Sequence, residues 1–501
     1  MVVQHNMQAA NANRMLNVTT SAQSKSTEKL SSGYRINRAA DDAAGLTISE
    51  KMRKQIKGLD QASTNAQDGV SSVQTAEGAL TEVHSMLQRM NELATQAANG
   101  TNSKDSDRQA IQDEIDQLTT EIDRVSETTK FNETYLLKGE AGTKTINMKA
   151  HDAGLKGKLT DNGDGTATFV MDTLNAGDKV SIGGKSYTIG SDDDDVDKWF
   201  TDNATDVTDT ASKKVTVNGT EYTYYAEKQA NTTAGSLTDG WNAGWYASAP
   251  TDKGDGTGTA LSGKFDSVDD IKTAVKKGAT AQNGTKSVTG MNDTATPKDG
   301  VSDTDATVIS KKKAYELASK ELLKANQIGD TENSANVGVG TATTPVSLTN
   351  GTGTFQIQTG SAKVANSLSF SLHVGADADM TNKIQVNIDA MDSASLGIKG
   401  LNVKDDSGNA ATYAVDAISD AISKVSSQRS ALGAVQNRLE HTINNLDNVV
   451  ENTTTAESRI RDTDMAEEMV NYSKNNILAQ AGQSMLAQAN QSNQGVLSLL
   501  Q

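Results

Sequence analysis

The chain has 501 residues, a formal net charge of −17 and no cysteine. The acidic balance disfavours nucleic-acid binding through a basic surface, and the missing thiols exclude disulfides and thiolate metal sites. Aromatic residues make up 4% of the chain and hydrophobic residues 35%, so buried contact must come from stripes of Ala, Leu, Ile, Val and Met.

The composition of the amino end does not predict a secretion signal of the usual kind. Residues 1–13 contain no Lys or Arg, and Gln and Asn interrupt the apolar runs there. No stretch elsewhere has the apolar length that predicts a transmembrane helix. From composition alone we expect a cytoplasmic protein, or one exported by an unusual route, without membrane insertion.

The prolines divide the chain into helical ends and a different middle. They lie at Pro250, Pro297 and Pro345, so both terminal regions are free of proline. Both terminal regions also carry apolar residues with a period of 3.6, which predicts amphipathic helices. The middle is rich in Gly, Asp, Thr, Ser and Lys and has short strand patterns between turn signals.

The amino-terminal region predicts two helices that pack antiparallel. Apolar residues, including Leu87, recur from Val70 to Leu93 at steps of three, four or seven. A polar gap at 99–105 follows, and Ser106 with Gln109 then forms a capping-box pattern. The second stripe has coiled-coil spacing, and its core residues are Ile111, Ile115, Leu118 and Ile122.

The middle predicts strands, turns and short helices. Residues 180–188 and 215–223 each predict a hairpin, closed by a Gly-Gly and an Asn-Gly turn. Short helices are expected at about 268–277 and about 312–326. Two small α+β modules would account for these features.

The carboxy-terminal region has a third apolar stripe, which could pack against the two amino-terminal ones. Apolar residues from Ile418 to Val450 keep heptad-like spacing, with Leu432, Leu439 and Leu446 in the predicted core. Each apolar stripe is narrow and needs another helix to bury it. We therefore expect one bundle built from both chain ends, with the middle as an insertion.

The extreme ends lack charges. Residues 475–501 contain no charged residue, and Arg14 is the only charge in residues 1–24. A solvated helix usually carries charges, and a membrane helix would not tolerate so many Gln and Asn. We expect these ends to be disordered alone and to fold against copies of the chain. The residues expected to drive this assembly are Leu478, Ala481, Met485, Leu497 and Leu500.

Motifs at both ends resemble the bacterial flagellin family, whose members form the flagellar filament. About 140 residues at the start and about 130 at the end take part in the resemblance, and many ordered matches make it specific. The matching segments are residues 30–46, 56–59, 87–94 and 121–132 at the start, and 437–439, 459–464, 486–490 and 496–500 at the end.

The resemblance implies a fold that is mainly α at the termini, an antiparallel coiled-coil or helical bundle with a β-hairpin. It assigns 1–40 and 460–501 to an inner coiled-coil domain lining the filament core. It assigns 41–140 and 365–459 to a helical tube-wall domain. Variable α+β outer domains, at 141–364, are inserted in the middle. The hairpin strands are expected at Leu372–Asp377 and Ile384–Ile388.

The resemblance also implies partners and a location. The expected function is a structural subunit that polymerises into a helical homopolymer for motility, outside the cell. Export unfolded through the flagellar type III apparatus would explain the absent signal peptide. The partners it implies are other flagellin copies, an export chaperone, the filament cap and the hook-junction proteins.

Arg89, Leu93 and Glu114 match positions through which flagellins contact the flagellin-sensing Toll-like receptor of animal hosts. Without the resemblance, they are simply exposed positions on two antiparallel helices. An Arg and a carboxylate that flank an apolar residue make a suitable interface anchor. The resemblance therefore implies receptor binding of the monomer, and sequence does not decide whether signalling follows.

The sequence offers weak candidates for chemistry. Asp192 to Asp195 lack the spacing of a calcium loop and predict a solvated acidic loop. The Asp-Gly turns at Asp164 and Asp255 have glycine at ligand positions of the EF-hand pattern. The five histidines form no His-Glu-x-x-His motif. We expect no metal, no cofactor and no catalysis, and we assign Asp41 and Asp42 to turn and helix-start roles.

Two alternative functions stay open at this point. A junction protein between hook and filament would share the terminal helices but not such full signatures. A surface adhesin would use the insertion, at 180–345, to bind a host surface or a glycan, and its acidic, Thr-rich composition suits solvated display equally well.

Overall fold

The computed structural model describes residues 6–101, 106–228, 231–233, 236–238, 240–250, 264–339, 353–405 and 407–498. Long helices occupy both ends of this chain, and α2 alone has 56 residues. The α-helices are α1 Met7–Ser32, α2 Ala43–Ala98, α3 Asp107–Thr128, α4 Asp193–Asp202, α5 Val268–Lys276, α6 Lys311–Asn326, α7 Ser393–Leu396, α8 Asn409–Arg461 and α9 Met465–Ser498.

Strands occupy the chain between the terminal helices, and a 3₁₀ helix at Met380–Asn382 precedes the last strand. The strands are β1 Lys130–Phe131, β2 Thr134–Tyr135, β3 Glu140–Asn147, β4 Gly157–Asp161, β5 Thr166–Met171, β6 Lys179–Ile182, β7 Lys185–Gly190, β8 Lys214–Val217, β9 Thr220–Tyr225, β10 Asn231–Thr233, β11 Ser236–Thr238, β12 Gly244–Tyr246, β13 Thr280–Asn283, β14 Lys286–Thr289, β15 Val308–Ser310, β16 Asn336–Val339, β17 Thr354–Gln358, β18 Ser361–Asn366, β19 Leu368–His373 and β20 Lys383–Ile388.

The chain divides into two compact units. As far as these ranges are described, the first consists of Met1–Thr75, Ser369–Asn387 and Ser430–Gln501. The second consists of Ala76–Leu368 and Ile388–Arg429. Helices α2 and α8 contribute residues to both units. The three regions implied by the family resemblance remain a prediction.

In the first unit, α2 and α8 pack together and hold a two-stranded sheet of β19 and β20. The connection from Val374 to Asn382 is shorter than the dozen or so residues that a parallel crossover needs, so these strands form a hairpin. The predicted strand at Ile384–Ile388 is confirmed, but the first strand ends at His373, so the predicted bounds Leu372–Asp377 are wrong. Leu439 of α8 is fully buried beside Ala66 of α2 and Ile384 of β20. Burying a leucine side chain contributes roughly 1.5–3 kcal/mol, so this contact anchors the hairpin on the helices.

In the second unit, the end of α2 packs against α3. Leu87, Ile115 and Ile122 are fully buried there. Arg108 of α3 is also buried. Its burial is tolerated because its Nε donates to the Ala97 carbonyl oxygen at 2.9 Å. The helices thus meet through apolar stripes and a charged side chain whose polar atoms are satisfied.

The predicted capping box at the start of α3 is wrong. The Ser106 backbone is already near helical, at φ −117° and ψ −59°, and its side chain makes no capping hydrogen bond. Its hydroxyl contacts the Asp107 carboxylate at 3.1 Å instead. A near-helical backbone does not present the hydroxyl to the amide groups of the first turn, as an extended N-cap residue would.

One hydrophobic core of the middle lies between a five-stranded sheet and two helices. The sheet order is β12-β9-β8-β13-β14, and α4 and α5 cover it. Trp245 and Ile271 are fully buried in this core. The predicted 215–223 hairpin is confirmed as β8 and β9, and Asn218 and Gly219 have the positive φ values, 49° and 80°, that a two-residue hairpin turn requires.

A second core of the middle lies under α6. The sheet β16-β17-β5-β4 and the smaller sheet β15-β7-β6 both contact it. Phe169 of β5 stands opposite Phe355 of β17, and their ring centroids are 6.1 Å apart. The predicted 180–188 hairpin is confirmed as β6 and β7. The two predicted short helices are confirmed as α5 and α6.

The predicted fold class is confirmed. The terminal helical regions pack together, the β19–β20 hairpin joins them, and the middle is built from sheets with short helices on them. Within the described part of the chain, no helix is long and apolar enough to span a membrane.

Candidate functional site

The helices α1 and α9 form an antiparallel pair. The Asn6 side chain donates to the Ala489 carbonyl oxygen at 3.1 Å, and Lys29 lies 3.8 Å from Glu468 at the other end. Small residues keep the helices close, and a Cβ added at Gly482 would lie 3.4 Å from Leu16. The seam is narrow as a result.

This pair buries very little. In their described residues, α1 buries Ser26 and α9 buries Ala479, with no other residue reaching that degree of burial. Large apolar side chains instead face outward, which is uncommon in a monomer when they are contiguous. The exposed ones on these helices are Met7, Met15, Val18, Met465, Met469, Val470, Ile477, Leu478 and Met485.

The residues predicted for self-assembly lie on this outward face where they are described. Leu478 is 47% exposed and Met485 is 60% exposed, and Ala481 is exposed as well. Leu497 belongs to α9, but its side chain lies outside the described residues, as does the whole of Leu500. The surface is therefore broad enough to contact another molecule, and its role stays a prediction.

Sequence reasoning missed part of this surface. A shallow apolar groove of about 510 Å³ runs along α9, lined by Met469, Val470, Ile477 and Leu478, with Lys474 at its edge. Met469 and Val470 lie before the charge-free segment, so the absence of charge does not mark them. The available signal is helical spacing, since Met469 lies eight residues and Val470 seven residues before Ile477.

A clamp joins the α1–α2 connection to the α8–α9 connection. Tyr34 and Asp462 form an isolated antiparallel bridge. The Arg461 guanidinium lies 4.7 Å from the centre of the Tyr34 ring and donates to Glu50 of α2 at 2.9 Å. Because Arg461 touches both the connection and α2, it holds these segments in one arrangement. Sequence reasoning did not single out this residue.

Most residues of the predicted bundle core are buried. The exception is Leu118, which is half-buried. The buried ones are Leu87, Ile111, Ile115 and Ile122 in the second unit and Leu432, Leu439 and Leu446 in the first.

Arg89 and Glu114 form an exposed ion pair between α2 and α3. Arg89 Nε donates to Glu114 Oε1 at 2.9 Å, and Arg89 Nη1 donates to Glu92 at 3.2 Å. The hydrogen bond to Glu114, followed by that to Glu92, raises the pKa of the Arg89 guanidinium. About half of each side chain stays exposed. The pair presents charge in a defined geometry but stays accessible to a partner.

Leu93 does not share this exposure. Sequence reasoning placed it on the surface with Arg89 and Glu114, and this is wrong, because Leu93 is only 2% exposed. It continues the apolar stripe of Leu87 and Met90, which faces the helix bundle. Any contact in this patch is therefore made by the charged pair, with Leu93 packed behind it.

Family models match both ends of the chain. The bacterial flagellin N-terminal helical region matches residues 3–142, and the bacterial flagellin C-terminal helical region matches residues 415–500. A flagellin of Clostridium tyrobutyricum is 36% identical over 497 residues, which cover 99% of this chain and 100% of that protein. The chain belongs to the flagellin family.

A second flagellin is similar over its whole length. A flagellin of Bacillus subtilis strain 168 is 34% identical over 501 residues, with 100% of both chains covered. The solved structure of FliC from Burkholderia pseudomallei matches with 19% identity and a TM-score of 0.22, and covers 74% of this chain and 99% of that one. The sequence identities carry the family assignment.

Membership in the flagellin family sets the coarse function. The chain is a structural subunit of the bacterial flagellar filament, assembled as a homopolymer on the outside of the cell. The packed terminal helices of the structure are the regions that the family models match.

The acidic run of this flagellin is not the loop that its composition predicted. Asp193 to Asp195 form the first turn of α4, and the Asp192 side chain caps it by accepting from the Asp195 amide at 3.0 Å. Carboxylates stabilise a helix amino end because of the helix dipole. Burial raises the pKa of the Asp192 carboxyl. The pKa of the Asp194 carboxyl is lowered instead, because Lys312 Nζ donates to Asp194 Oδ2 at 2.5 Å.

Metal and turn positions complete the flagellin's candidate sites. Among the residues that the structure describes, no group of three or more His, Asp or Glu side chains could hold a metal ion. Asp164 contacts Thr166 as a turn residue, and Asp255 lies outside the described residues. Asp41 accepts from the Arg38 amide, and Asp42 accepts from the Gly45 amide at the start of α2, as turn and helix-start residues do.

Proposed function

We propose that this flagellin polymerises by burying the outward apolar faces of α1 and α9 against neighbouring copies. The observation that carries the proposal is a helix with exposed Ile477, Leu478 and Met485 in a segment without charges. An exposed apolar face is costly in water and favourable in a close-packed interface, at roughly 25 cal/mol per Å² buried.

The family's domain arrangement belongs to this proposal. Residues 1–40 and 460–501 form the inner coiled coil around the filament core. Residues 41–140 and 365–459 form the tube wall, and 141–364 form the outer region. Two features support this order: the long apolar stripes of α2 and α8, and the scarcity of charge at the two chain ends, where 475–501 has no charged residue and 1–24 has only Arg14. The least solvated surface belongs at the centre of an assembly.

Truncation tests the proposal directly. Removing residues 475–501 should abolish salt-induced filaments seen by electron microscopy. The tryptophans provide an internal control, because Trp199, Trp241 and Trp245 all lie in the middle of the chain. Their fluorescence should stay native in the truncated chain. Filaments of normal length from that chain would overturn the proposal.

Folding on assembly has its own test. The narrow seam between α1 and α9 supports helices that are marginal in the monomer and ordered in the polymer. Far-ultraviolet circular dichroism should show more helix per subunit in filaments than in monomers. Equal helix content in both states would contradict this part of the proposal and leave polymerisation itself standing.

Export and capping partners follow from the same surface. The chain is exported unfolded through the flagellar type III apparatus, and an export chaperone covers α9 before secretion. The filament cap guides assembly, and the hook-junction proteins receive the first subunits. The exposed groove on α9 supports the chaperone, because an uncovered apolar face would lead to premature association. Deleting 475–501 should also remove chaperone binding in a pull-down with the purified partner.

The monomer also binds the host flagellin-sensing Toll-like receptor. The exposed Arg89–Glu114 pair supports this, because charged groups in a fixed geometry favour a specific complex. Arg89→Ala should weaken receptor binding about ten-fold, as expected when a partly buried charge pair loses one member at an interface. Arg124→Ala is the control, since the Arg124 side chain is 59% exposed, against 50% for Arg89, and is paired with Glu121 on α3. Unchanged affinity after Arg89→Ala would remove the receptor claim, and a cell reporter would measure signalling separately.

A further inference from the structure

A cleft of about 550 Å³ lies in the second unit, between the two cores of the middle. The ends of β7 and β14 form its floor, where Ser191 and Gly290 make a parallel bridge. The Met291 amide donates to the Ser191 carbonyl oxygen at 2.9 Å across this bridge. Its volume falls within the range of about 300–1,000 Å³ that small-molecule sites occupy.

Two glycines in the cleft lining pack closely against the surrounding protein. A Cβ at Gly290 would lie 2.0 Å from the Val275 carbonyl oxygen, and one at Gly190 would lie 2.9 Å from Val308. Protein atoms already occupy the space where a side chain would stand. The backbone that borders the cleft is therefore held in place by close packing.

Polar groups without partners converge on this cleft. Ser191 is only 5% exposed, and its hydroxyl makes no hydrogen bond within the described part of the chain. The carboxamide of half-buried Asn292 is likewise free among the described residues, and so is the exposed Lys277 ammonium. Ser191 lines the cleft, and its hydroxyl is available to hydrogen-bond a ligand there.

The charge of the lining selects the kind of partner. Lys277 is the one charged residue among the described residues that line the cleft, and no carboxylate joins it. Asp303 lies nearby, but its carboxylate is used by the Thr294 amide and hydroxyl. The lining also carries the hydroxyls of Ser302 and Thr304, which hydrogen-bond each other at 3.0 Å.

We propose that this cleft binds a small hydroxylated carboxylate, such as a single uronic acid unit of a saccharide. The Lys277 ammonium pairs with the carboxylate. The Ser191 hydroxyl and the Asn292 carboxamide each contact a sugar hydroxyl, and Asn292 can donate and accept at once. Such binding is independent of polymerisation, since none of these residues lies on α1 or α9.

The test compares two sugars that differ in one group. Binding of methyl glucuronide and methyl glucoside to the full-length monomer is measured by isothermal titration calorimetry and by ligand-detected nuclear magnetic resonance. The glucuronide should bind about ten-fold more tightly than the glucoside, as a charge-assisted hydrogen bond provides. Raising the salt concentration should reduce this preference.

Matched variants locate the site. Lys277→Gln should remove the preference for the glucuronide, whereas Lys286→Gln, an exposed lysine outside the lining, should preserve it. Asn292→Ala should weaken both sugars about three- to ten-fold, and Asn283→Ala, also outside the lining, should not. Absence of saturable binding, equal affinity for both sugars, or equal effects of the two lysine changes would each overturn the proposal.

Discussion

Replacing Ile477 by Ser separates assembly from folding. Ile477 lies on α9 and is 66% exposed in the monomer. Full burial of an isoleucine side chain contributes roughly 1.5–3 kcal/mol, so covering the exposed two-thirds contributes about 1–2 kcal/mol per subunit. Losing this should raise the critical concentration for filament formation about 5- to 30-fold. Light scattering of a concentration series, with electron microscopy of the products, measures that concentration.

The matched control is a buried leucine on the neighbouring helix α8. Leu439→Ala should cost about 2–5 kcal/mol of monomer stability, because Leu439 is 0% exposed and a cavity would remain. Ile477→Ser should leave urea unfolding of the monomer unchanged to within about 0.5 kcal/mol. If Ile477→Ser left the critical concentration at the wild-type value, the outward face of α9 would not be the assembly surface.

Four further changes test the stability of the monomer, each followed by urea unfolding. Gly78→Ala should stabilise α2 by about 1 kcal/mol, since a Cβ there meets nothing, whereas Gly58→Ala should lose this gain because its Cβ would lie 3.1 Å from the loop after β19. Asn326→Leu should cost about 2–4 kcal/mol, because Asn326 exchanges hydrogen bonds with both backbone groups of His151. Burial raises the pKa of the Asp405 carboxyl, but hydrogen bonds from a hydroxyl and from amides at the start of α8 lower it more, so this pKa lies below its ordinary value. Its contribution should be complete above the unfolded pKa and be lost as pH falls through the folded value, and Asp405→Asn should remove this acid dependence.

Local periodicity predicted the terminal helices because their burial repeats with the helical period. Leu439 and Leu446 are seven residues apart, and both are buried. The same stripe ends at Leu93, three residues after Met90, and therefore places Leu93 inside. Its interpretation as a receptor contact requires exposure instead, and at 2% exposure Leu93 follows the stripe.

Composition misled the assignment of α4. Asp is a poor residue for a helix interior, so four consecutive aspartates predicted a loop. At the amino end of a helix, the same residues are favourable because they meet unpaired amides and the positive end of the dipole. Val196 and Phe200, at a spacing of four, supply the apolar face that packs on the sheet. Position along the helix, which local composition does not encode, decided the outcome.

Pairing between distant strands lay beyond the sequence pattern. The strand β5 pairs with β17, so that Phe169 stands opposite Phe355. Similarly, β3 pairs with β18. Alternation of polar and apolar residues identifies a strand but does not name its partner, because any strand of matching pattern could occupy that edge. The cleft between the two cores depends on such pairings, which is why it emerged only from the structure.

The contrast between two helix pairs explains why assembly and stability are separable. Where α2 meets α8 in the first unit, Leu439 and Ala66 are fully buried and polar contacts such as Ser63 with Asp447 surround them. This pair has enough buried area to persist without neighbours. The α1–α9 pair has similar length but a seam of small and half-buried side chains, so most of its apolar surface is left facing outward. Helix α9 carries no charged residue from Asn475 onward, so no like charges repel an identical copy along this part of the helix. A surface that is too poorly covered to hold the monomer together is, for the same reason, well suited to hold the polymer together.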